Sequence, residues 1–248
     1  PDAHRDPLME KEATGESRSG REAPTGMDFT LVLASCIHDM KNSLGLILAR
    51  LDQIASAAGE GQVPPAGMLA RLRHEGGRLN NQLIQLLAIY RIGHGQYFPE
   101  IEEHVVAESL QEWLIPQQEL LAERDIAVEI DCPPELTWYY DRDLLGGVLS
   151  NILNNAFRYT RSRLLIRAQE KEGMLELQVL DDGPGYPPAM LTDPDHQQGI
   201  DFGTGSTGIG LYYASLVASL HRNRGRSGQI RLANEGFDGG GCFTIRLP

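Results

Sequence analysis

Two consecutive heptad seams constrain this chain more than anything else in it. Leu33, Ile37, Met40, Leu44, Ile47, Leu51 and Ile54 follow one another at spacings of 4, 3, 4, 3, 4 and 3, which holds one apolar stripe on a single helix face. The run Gly59-Glu60-Gly61-Gln62-Val63-Pro64-Pro65 breaks it, because glycine and proline remove helix propensity and backbone donors. Leu69, Leu72, Gly76, Leu79, Leu83, Leu86 and Tyr90 then resume the pattern at 3, 4, 3, 4, 3 and 4. The spacing predicts helices over 28–58, with Asp28 as N-cap, and over 67–93. Two such helices on a short loop make an antiparallel hairpin that cannot enclose its own core. A second copy completes it as a four-helix bundle homodimer; the alternative cover is the rest of the same chain. Gly76-Gly77 weakens the second helix locally and leaves room for close helix contact.

His38 stands apart from this pattern. At about 100° per residue it points roughly 140° away from the mean direction of the first seam, with Asn42 one turn on sharing its face. An exposed imidazole follows. Taken alone, a lone histidine on a helix is more often a solvated surface residue than a reactive one. Cys36, two residues earlier, reads as a small buried residue flanking the seam, with a redox handle as the alternative. Cys36, Cys132 and Cys242 are odd in number, far apart and without CxxC spacing, which points to reduced thiols in a cytoplasmic setting.

Residues 1–27 contain almost no large apolar residues and read as a disordered leader. Residues 28–95 hold the hairpin, and Gly93-His94-Gly95 with Pro99 marks the boundary to a second unit, 96–248. There the pattern alternates: a strand near 101–105, a helix over 107–123, strands at 126–131 and 136–140, a helix over 142–159, strands at 163–170 and 174–180, a glycine-rich stretch, a helix over 208–221 and strands at 228–234 and 241–247. This spacing suggests a single sheet with helices on one face, so the fold class is α+β. The 41% hydrophobic content suffices for real cores. The net charge of −12 argues against a nucleic-acid backbone or an anionic membrane surface as partner. No apolar run approaches the roughly 18 residues of a membrane span.

The second unit carries three groups of polar residues with chemical potential. In the 142–159 helix, Leu145, Val148, Leu149, Ile152, Leu153 and Ala156 form an apolar face, and Asn151, Asn155 and Arg158 a polar stripe opposite. A carboxamide oxygen is a hard ligand for Mg²⁺, and a guanidinium complements phosphate; a wet helix face is the bland alternative. Next, Val179-Leu180-Asp181-Asp182-Gly183-Pro184-Gly185 ends an apolar strand in a carboxylate followed by glycines. That presents a rigid acceptor where backbone can approach a ligand closely, or it is a simple turn. Finally, Gly203-Thr204-Gly205-Ser206-Thr207-Gly208-Ile209-Gly210-Leu211 leads into an apolar helix, offering N–H groups and a helix dipole to phosphate oxygens.

In combination these segments resemble a known family. Asn151 to Thr160, Asp181-x-Gly183-x-Gly185, and Gly205 to Leu211 are similar, in order and spacing, to the N, G1 and G2 boxes of histidine kinase ATP-binding domains. His38-Asp39-Met40-Lys41-Asn42 resembles that family's H box. The resemblance covers roughly residues 28–248. It implies a sensor histidine kinase core of two-component systems: a dimerisation and histidine phosphotransfer bundle, then a Bergerat-type ATP-binding α/β sandwich. Carried onto this chain, it implies ATP and Mg²⁺ as cofactors, with Asn155 holding the metal and Asn151 assisting. Arg158 and Tyr159 would line the nucleotide site, Asp181 would bind the adenine amine, and Gly183 and Gly185 would shape the pocket. Thr207, Gly208 and Gly210, with Leu211 closing the motif, would cradle phosphates, and 187–207 would form a lid. His38 would be the phosphorylated nucleophile, Asp39 its acidic neighbour and Asn42 a residue orienting water for dephosphorylation of the partner. That partner would be a response regulator receiver domain, phosphorylated on aspartate.

The chain departs from the family in places. Asp39 stands where many members carry Glu, and Lys41-Asn42-Ser43 where many carry Arg-Thr-Pro, so the helix lacks the proline kink. Between Asp181 and Gly203 only Phe202 is available for an F box. Two other readings compete with the kinase: a nucleotide-switched scaffold that captures a regulator or another kinase, and a serine kinase of the same ATPase superfamily, against which the two heptad helices argue.

Overall fold

The computed structural model describes residues 29–59, 67–118, 121, 124–192 and 209–248. The expected leader, the Asp28 cap, the 60–66 loop and most of the glycine-rich segment lie outside the described residues. Helix α1 (Phe29–Gly59) and helix α2 (Met68–Gly93) pack on each other as a hairpin. α1 runs unbroken through Asn42-Ser43, as the absence of proline predicts. The first seam divides between two environments. Leu33, Met40, Ile47 and Ile54 are half-buried, whereas Ile37, Leu44 and Leu51 stay 55%, 50% and 45% exposed. Close backbone contact at Gly76-Gly77 does not occur: nothing described lies within 4 Å of a Cβ built on either. Arg78 of α2 bridges the helices instead, donating to Ser43 Oγ at 2.6 Å, and it also donates to Glu75 of its own helix at 3.0 Å.

After the hairpin come β1 (Glu102–Val105), α3 (Val106–Leu114), β2 (Ala127–Asp131), β3 (Thr137–Tyr140), α4 (Arg142–Tyr159), β4 (Arg163–Lys171), β5 (Met174–Asp181), the single turn α5 (Pro188–Leu191), α6 (Ile209–Leu220), the short pair β6 (Arg222–Asn223) and β7 (Arg226–Ser227), β8 (Gln229–Ala233) and β9 (Cys242–Leu247). The strands do not form the single sheet expected. Five make the main sheet, in the order β2-β4-β5-β9-β8, with β2 and β4 parallel and the other neighbours antiparallel. β1 and β3 form a separate antiparallel ribbon, and β6 with β7 a small hairpin that the sequence reading missed. The ribbon stays separate because its aromatic residues pack on α3. Tyr140 is fully buried, donates to Ser109 Oγ at 2.8 Å and lies 6.2 Å from the Trp113 ring. The expected 107–123 helix is interrupted after Leu114 by a 3-10 turn at Ile115–Gln117 that contains Pro116, with helical backbone again at Gln118 and Leu121; proline cannot donate the next helical hydrogen bond.

Strand alternation decides which face is buried. Along β5, Leu175, Leu177 and Val179 point to one side, in register with Ile245 and Phe243 of β9 and with Ala168 and Ile166 of β4. α4 and α6 cover this side with Leu145, Leu149, Leu153, Tyr213 and Val217. The opposite side carries Arg167, Gln178, Thr244 and Arg246, the usual half-solvated antiparallel arrangement. Cys36, Ala88 and Ile89 of the hairpin join the same buried cluster as the sheet domain, so one hairpin face packs on its own chain. Asn81 Nδ2 donates to Ser150 Oγ of α4 at 3.1 Å across that contact.

Asp141 ties the connection together. Its Oδ1 accepts from the Leu144 N–H at 2.9 Å, capping α4, and its Oδ2 accepts from the Tyr97 hydroxyl and the Glu100 N–H, both at 3.0 Å. Its own N–H donates to His221 Nε2 at 3.0 Å, and His221 Nδ1 lies 2.8 Å from the Val217 carbonyl. The segment leaving α2, the start of α4 and the end of α6 therefore meet at one carboxylate.

Candidate nucleotide site

The alternation of β5 also builds the site. Asp181 lies two residues beyond Val179, so its side chain emerges on the helix-covered face at the point where the strand ends. There its Oδ1 accepts from the N–H groups of Gly183 at 2.7 Å and Gly241 at 3.1 Å. Burial raises its pKa above the ordinary 3.8, against the two amide hydrogen bonds that lower it, with the Asp182 charge adding to the rise. The carboxylate is thus fixed, desolvated and only partly satisfied, a state suited to accepting a further hydrogen bond.

Asp182 does a different job. Although burial by itself would raise its pKa, hydrogen bonds from the Ser162 hydroxyl, the Ser162 N–H and the Arg161 N–H prevail and hold the carboxyl down to about 2. The hydroxyl bond is 2.8 Å, as is the one from Arg161. These bonds pin the exit of α4 to the end of β5, so two motifs that are about twenty residues apart share one rigid corner.

Next to Asp181 opens a cavity of about 770 Å³, lined by Asn155, Tyr159, Gly185, Tyr186, Met190 and Asn234 among others. That volume lies within the roughly 300–1,000 Å³ typical of small-molecule sites. Ile152, Ala156, Val179 and Leu211 supply an apolar floor against which a flat heterocycle can lie, with the Asp181 carboxylate at its edge. Burial pushes the Tyr186 phenol up, assisted by the Asp181 charge, so this ring remains a neutral wall and hydrogen-bond donor at neutral pH.

The expected residues distribute as follows. Asn155, Tyr159, Asp181, Gly185 and Leu211 all line the cavity. Gly183 lies beneath it: a Cβ there would stand 2.8 Å from both Asp181 Oδ1 and the Tyr159 carbonyl. Arg158 is exposed, its guanidinium 5.7 Å from the Tyr159 ring. Asn151 is drawn inward, with Nδ2 buried and without a hydrogen-bond partner. Gly210 sits against it, a Cβ at that position falling 1.7 Å from Nδ2; this glycine is needed for the packing of α6 on α4 whatever it does for phosphate. Thr207 and Gly208 lie outside the described residues. His38 and Asp39 fall within α1, their side chains outside the described set, and Asn42 is exposed on the same helix. Cys36 is 2% exposed, in keeping with the packing reading. Sequence reasoning missed Tyr186, Met190 and Asn234. Tyr186 adjoins a motif that was noticed, whereas nothing local marks Asn234.

The donor set fits a magnesium nucleotide. Asn155 is an exposed residue lining the cavity, and its neutral carboxamide oxygen is the hard ligand type Mg²⁺ takes alongside phosphate and water. The apolar floor with one buried carboxylate suits a base carrying an exocyclic amine. Among the described residues no helix is long and apolar enough to cross a membrane.

Comparison with known proteins agrees with this geometry. Residues 140–248 match the model of the histidine kinase-, DNA gyrase B- and HSP90-like ATPase family. The sensor protein SrrB of Staphylococcus aureus is 24% identical over 223 residues, covering 87% of this chain and 37% of SrrB, so the chain spans well under half the length of that relative. The solved histidine kinase AdeS of Acinetobacter baumannii superposes with a TM-score of 0.59 at 19% identity, over 85% of this chain and 96% of the other. The catalytic domain of histidine kinase ThkA gives a TM-score of 0.52 at 20% identity, over 60% of this chain and 95% of the other; at these identities the likeness is one of fold. Residues 140–248 thus match an ATPase domain of this family, and the chain, hairpin and domain together, is similar to the core of a sensor histidine kinase.

Proposed function

We propose that the protein is an ATP-dependent histidine kinase that phosphorylates itself on His38 and passes the phosphoryl group to an aspartate of a response regulator. The observation that carries this reading is the buried Asp181 carboxylate bordering a largely apolar cavity that Asn155 also lines, in a chain whose long helix α1 includes His38. In this reading residues 28–95 are the dimerisation and phosphotransfer unit and 96–248 the catalytic unit.

Asp181 would accept from the adenine amine with the Tyr159 and Tyr186 rings beside the base, and Asn155, assisted by Asn151, would hold Mg²⁺, which would neutralise phosphate charge. Arg158 adds positive charge at the phosphate side, and the glycine segment containing Thr207, Gly208 and Gly210 supplies N–H groups. Phosphoryl transfer demands positioning and charge neutralisation more than covalent chemistry from the protein. A neutral imidazole nitrogen of His38 attacks the γ-phosphorus in line, the bond to the bridging oxygen breaks, ADP leaves, and Asp39 takes or orients the ring proton. Asn42, one turn on, orients water when the regulator is dephosphorylated. The exposed apolar residues of α1 and α2 are covered by a second copy, giving the homodimeric four-helix bundle.

The test is incubation with γ-labelled ATP and Mg²⁺ beside His38→Ala and Asn155→Ala. Wild type is expected to gain acid-labile, base-stable label that both variants lack. Label that survives acid transfers the assignment to a serine kinase, and a wild type that binds ATP without labelling removes the kinase reading in favour of a nucleotide-switched scaffold.

A further inference from the structure

Asn234, at the end of β8, lies 48 residues from Tyr186 in sequence but grips it from both sides. Its Oδ1 accepts from the Tyr186 N–H at 2.7 Å and its Nδ2 donates to the Tyr186 carbonyl at 3.1 Å. One carboxamide thus serves the loop backbone as a neighbouring strand would, in a place where no strand reaches. Gly185, the preceding residue, has φ of 76°, and a Cβ on it would stand 2.7 Å from both Asn234 Cγ and Oδ1. The carboxamide therefore lies directly against the glycine backbone, which a side chain at 185 would prevent for two separate reasons. The clasped loop is the one that leads out of Asp181, and Asn234, Gly185, Tyr186, Pro187 and Pro188 all border the same cavity as Asp181. On the far side, Tyr186 approaches Gly241, whose N–H donates to Asp181.

From this geometry we propose that Asn234 is a positioning residue for the nucleotide base: by clasping Tyr186 it fixes the wall facing Asp181 and so sets how strictly the cavity discriminates adenine from other purines. The inference rests on the nucleotide reading above and deepens it. Asn234 acts through Tyr186 and need not touch the ligand. A wall held in place before binding spares the ligand the ordering of that loop, which favours the base that fits and no other.

The test measures ADP and inosine diphosphate binding to the full chain by calorimetry, for wild type, Asn234→Ala and Asn234→Asp, with thermal melts alongside. The aspartate variant keeps an acceptor for the Tyr186 N–H and loses the donor. Asn234→Ala is expected to weaken ADP about tenfold, as befits the loss of two hydrogen bonds on a binding wall, while changing inosine diphosphate little, so that the preference collapses; Asn234→Asp falls between. Hydrogen exchange at the Tyr186 amide should quicken in the alanine variant. An unchanged ADP affinity overturns the proposal, as does an equal loss for both nucleotides, which indicates general loosening. If Asn234→Ala fails to fold, a wild-type ADP preference in Asn234→Asp refutes it equally well. A wild type that binds neither nucleotide sinks the nucleotide reading first and this inference with it.

Discussion

At the scale of single residues, the two adjacent carboxylates Asp181 and Asp182 show how hydrogen bonding and burial set opposite properties side by side. Asp181 is raised by burial above 3.8, and Asp182 is held down to about 2. A carboxylate that must accept from a base amine works only when ionised. Adenine nucleotide affinity is therefore expected to be full at neutral pH and to fall as acid approaches the raised Asp181 value from above, starting before an ordinary aspartate would titrate. Calorimetry with ADP between pH 7.5 and 5 checks this. Asp181→Asn should cut affinity by about 10- to 100-fold, from roughly 1.5–3 kcal/mol for a charged hydrogen bond, and flatten the pH dependence. For Asp182 the sign concerns folding. Its folded value lies below the unfolded one, so the stability it contributes is present above 3.8 and is lost as pH falls from there toward 2. Removing the hydroxyl with Ser162→Ala is expected to cost about 1 kcal/mol at neutral pH and to move the acid-unfolding midpoint upward, as followed by circular dichroism. Both carboxylates were visible in the sequence, but only Asp181 was given a role. The partners of Asp182 come from the end of another helix, and no local pattern announces them.

At the scale of elements, what could be read from sequence is what repeats along one segment. The buried face of α4, from Leu145 to Ala156, follows from 3.6-residue periodicity, and the strands from alternation, and the structure reproduces both within a residue or two. What depends on one segment meeting another was hidden. The separate β1–β3 ribbon arises because Tyr140 packs on Ser109 and Trp113 of α3 and not on the main sheet, and the Asn234 clasp needs the register of β8 on β9 and of β9 on β5. The Asp141 junction is of the same kind, joining the exit of α2, the start of α4 and the end of α6. Asp141→Ala removes the α4 cap and strands Tyr97 and the Glu100 amide, so a loss of roughly 2–3 kcal/mol is expected in urea unfolding. His221 makes this junction sensitive to pH. With Nδ1 donating to the Val217 carbonyl, Nε2 must be bare to accept from the Asp141 N–H. Burial lowers its pKa below 6.5, against the Val217 hydrogen bond and the Asp141 charge. A depressed histidine means that the unfolded chain binds the proton more readily. Its contribution is complete above about 6.5 and declines as pH falls below that, and His221→Asn should lose this slope in denaturation curves recorded from pH 7.5 to 5.

At the scale of the whole molecule, the hairpin is left with one covered and one uncovered face. Cys36, Met40 and Ser43 on α1, with Gln85, Ala88 and Ile89 on α2, are turned inward or against the sheet domain. Ile37, Leu44, Leu48 and Leu51 remain about half exposed on α1, and Leu83, Leu87 and Tyr90 on α2. Of the two alternatives raised by the heptads, the same chain covers one face, and a second copy is the proposed cover of the other. At about 25 cal/mol per Å² of apolar area, a stripe of seven large side chains left in water is a strong drive to associate, and monomers rarely tolerate one. Because a twofold axis brings the same stripe of each copy together, the expected assembly has twice the 27.4 kDa chain mass by light scattering. A charge on each helix, Leu44→Glu with Leu87→Glu, should return it to one chain while leaving ADP binding intact, since neither residue borders the cavity. The two residues are exposed in the single chain and carry little of its fold, so the loss should be of partner and not of structure. A wild type that already runs as a monomer at tens of micromolar would remove the homodimer from the proposed function and leave the exposed stripe to another protein.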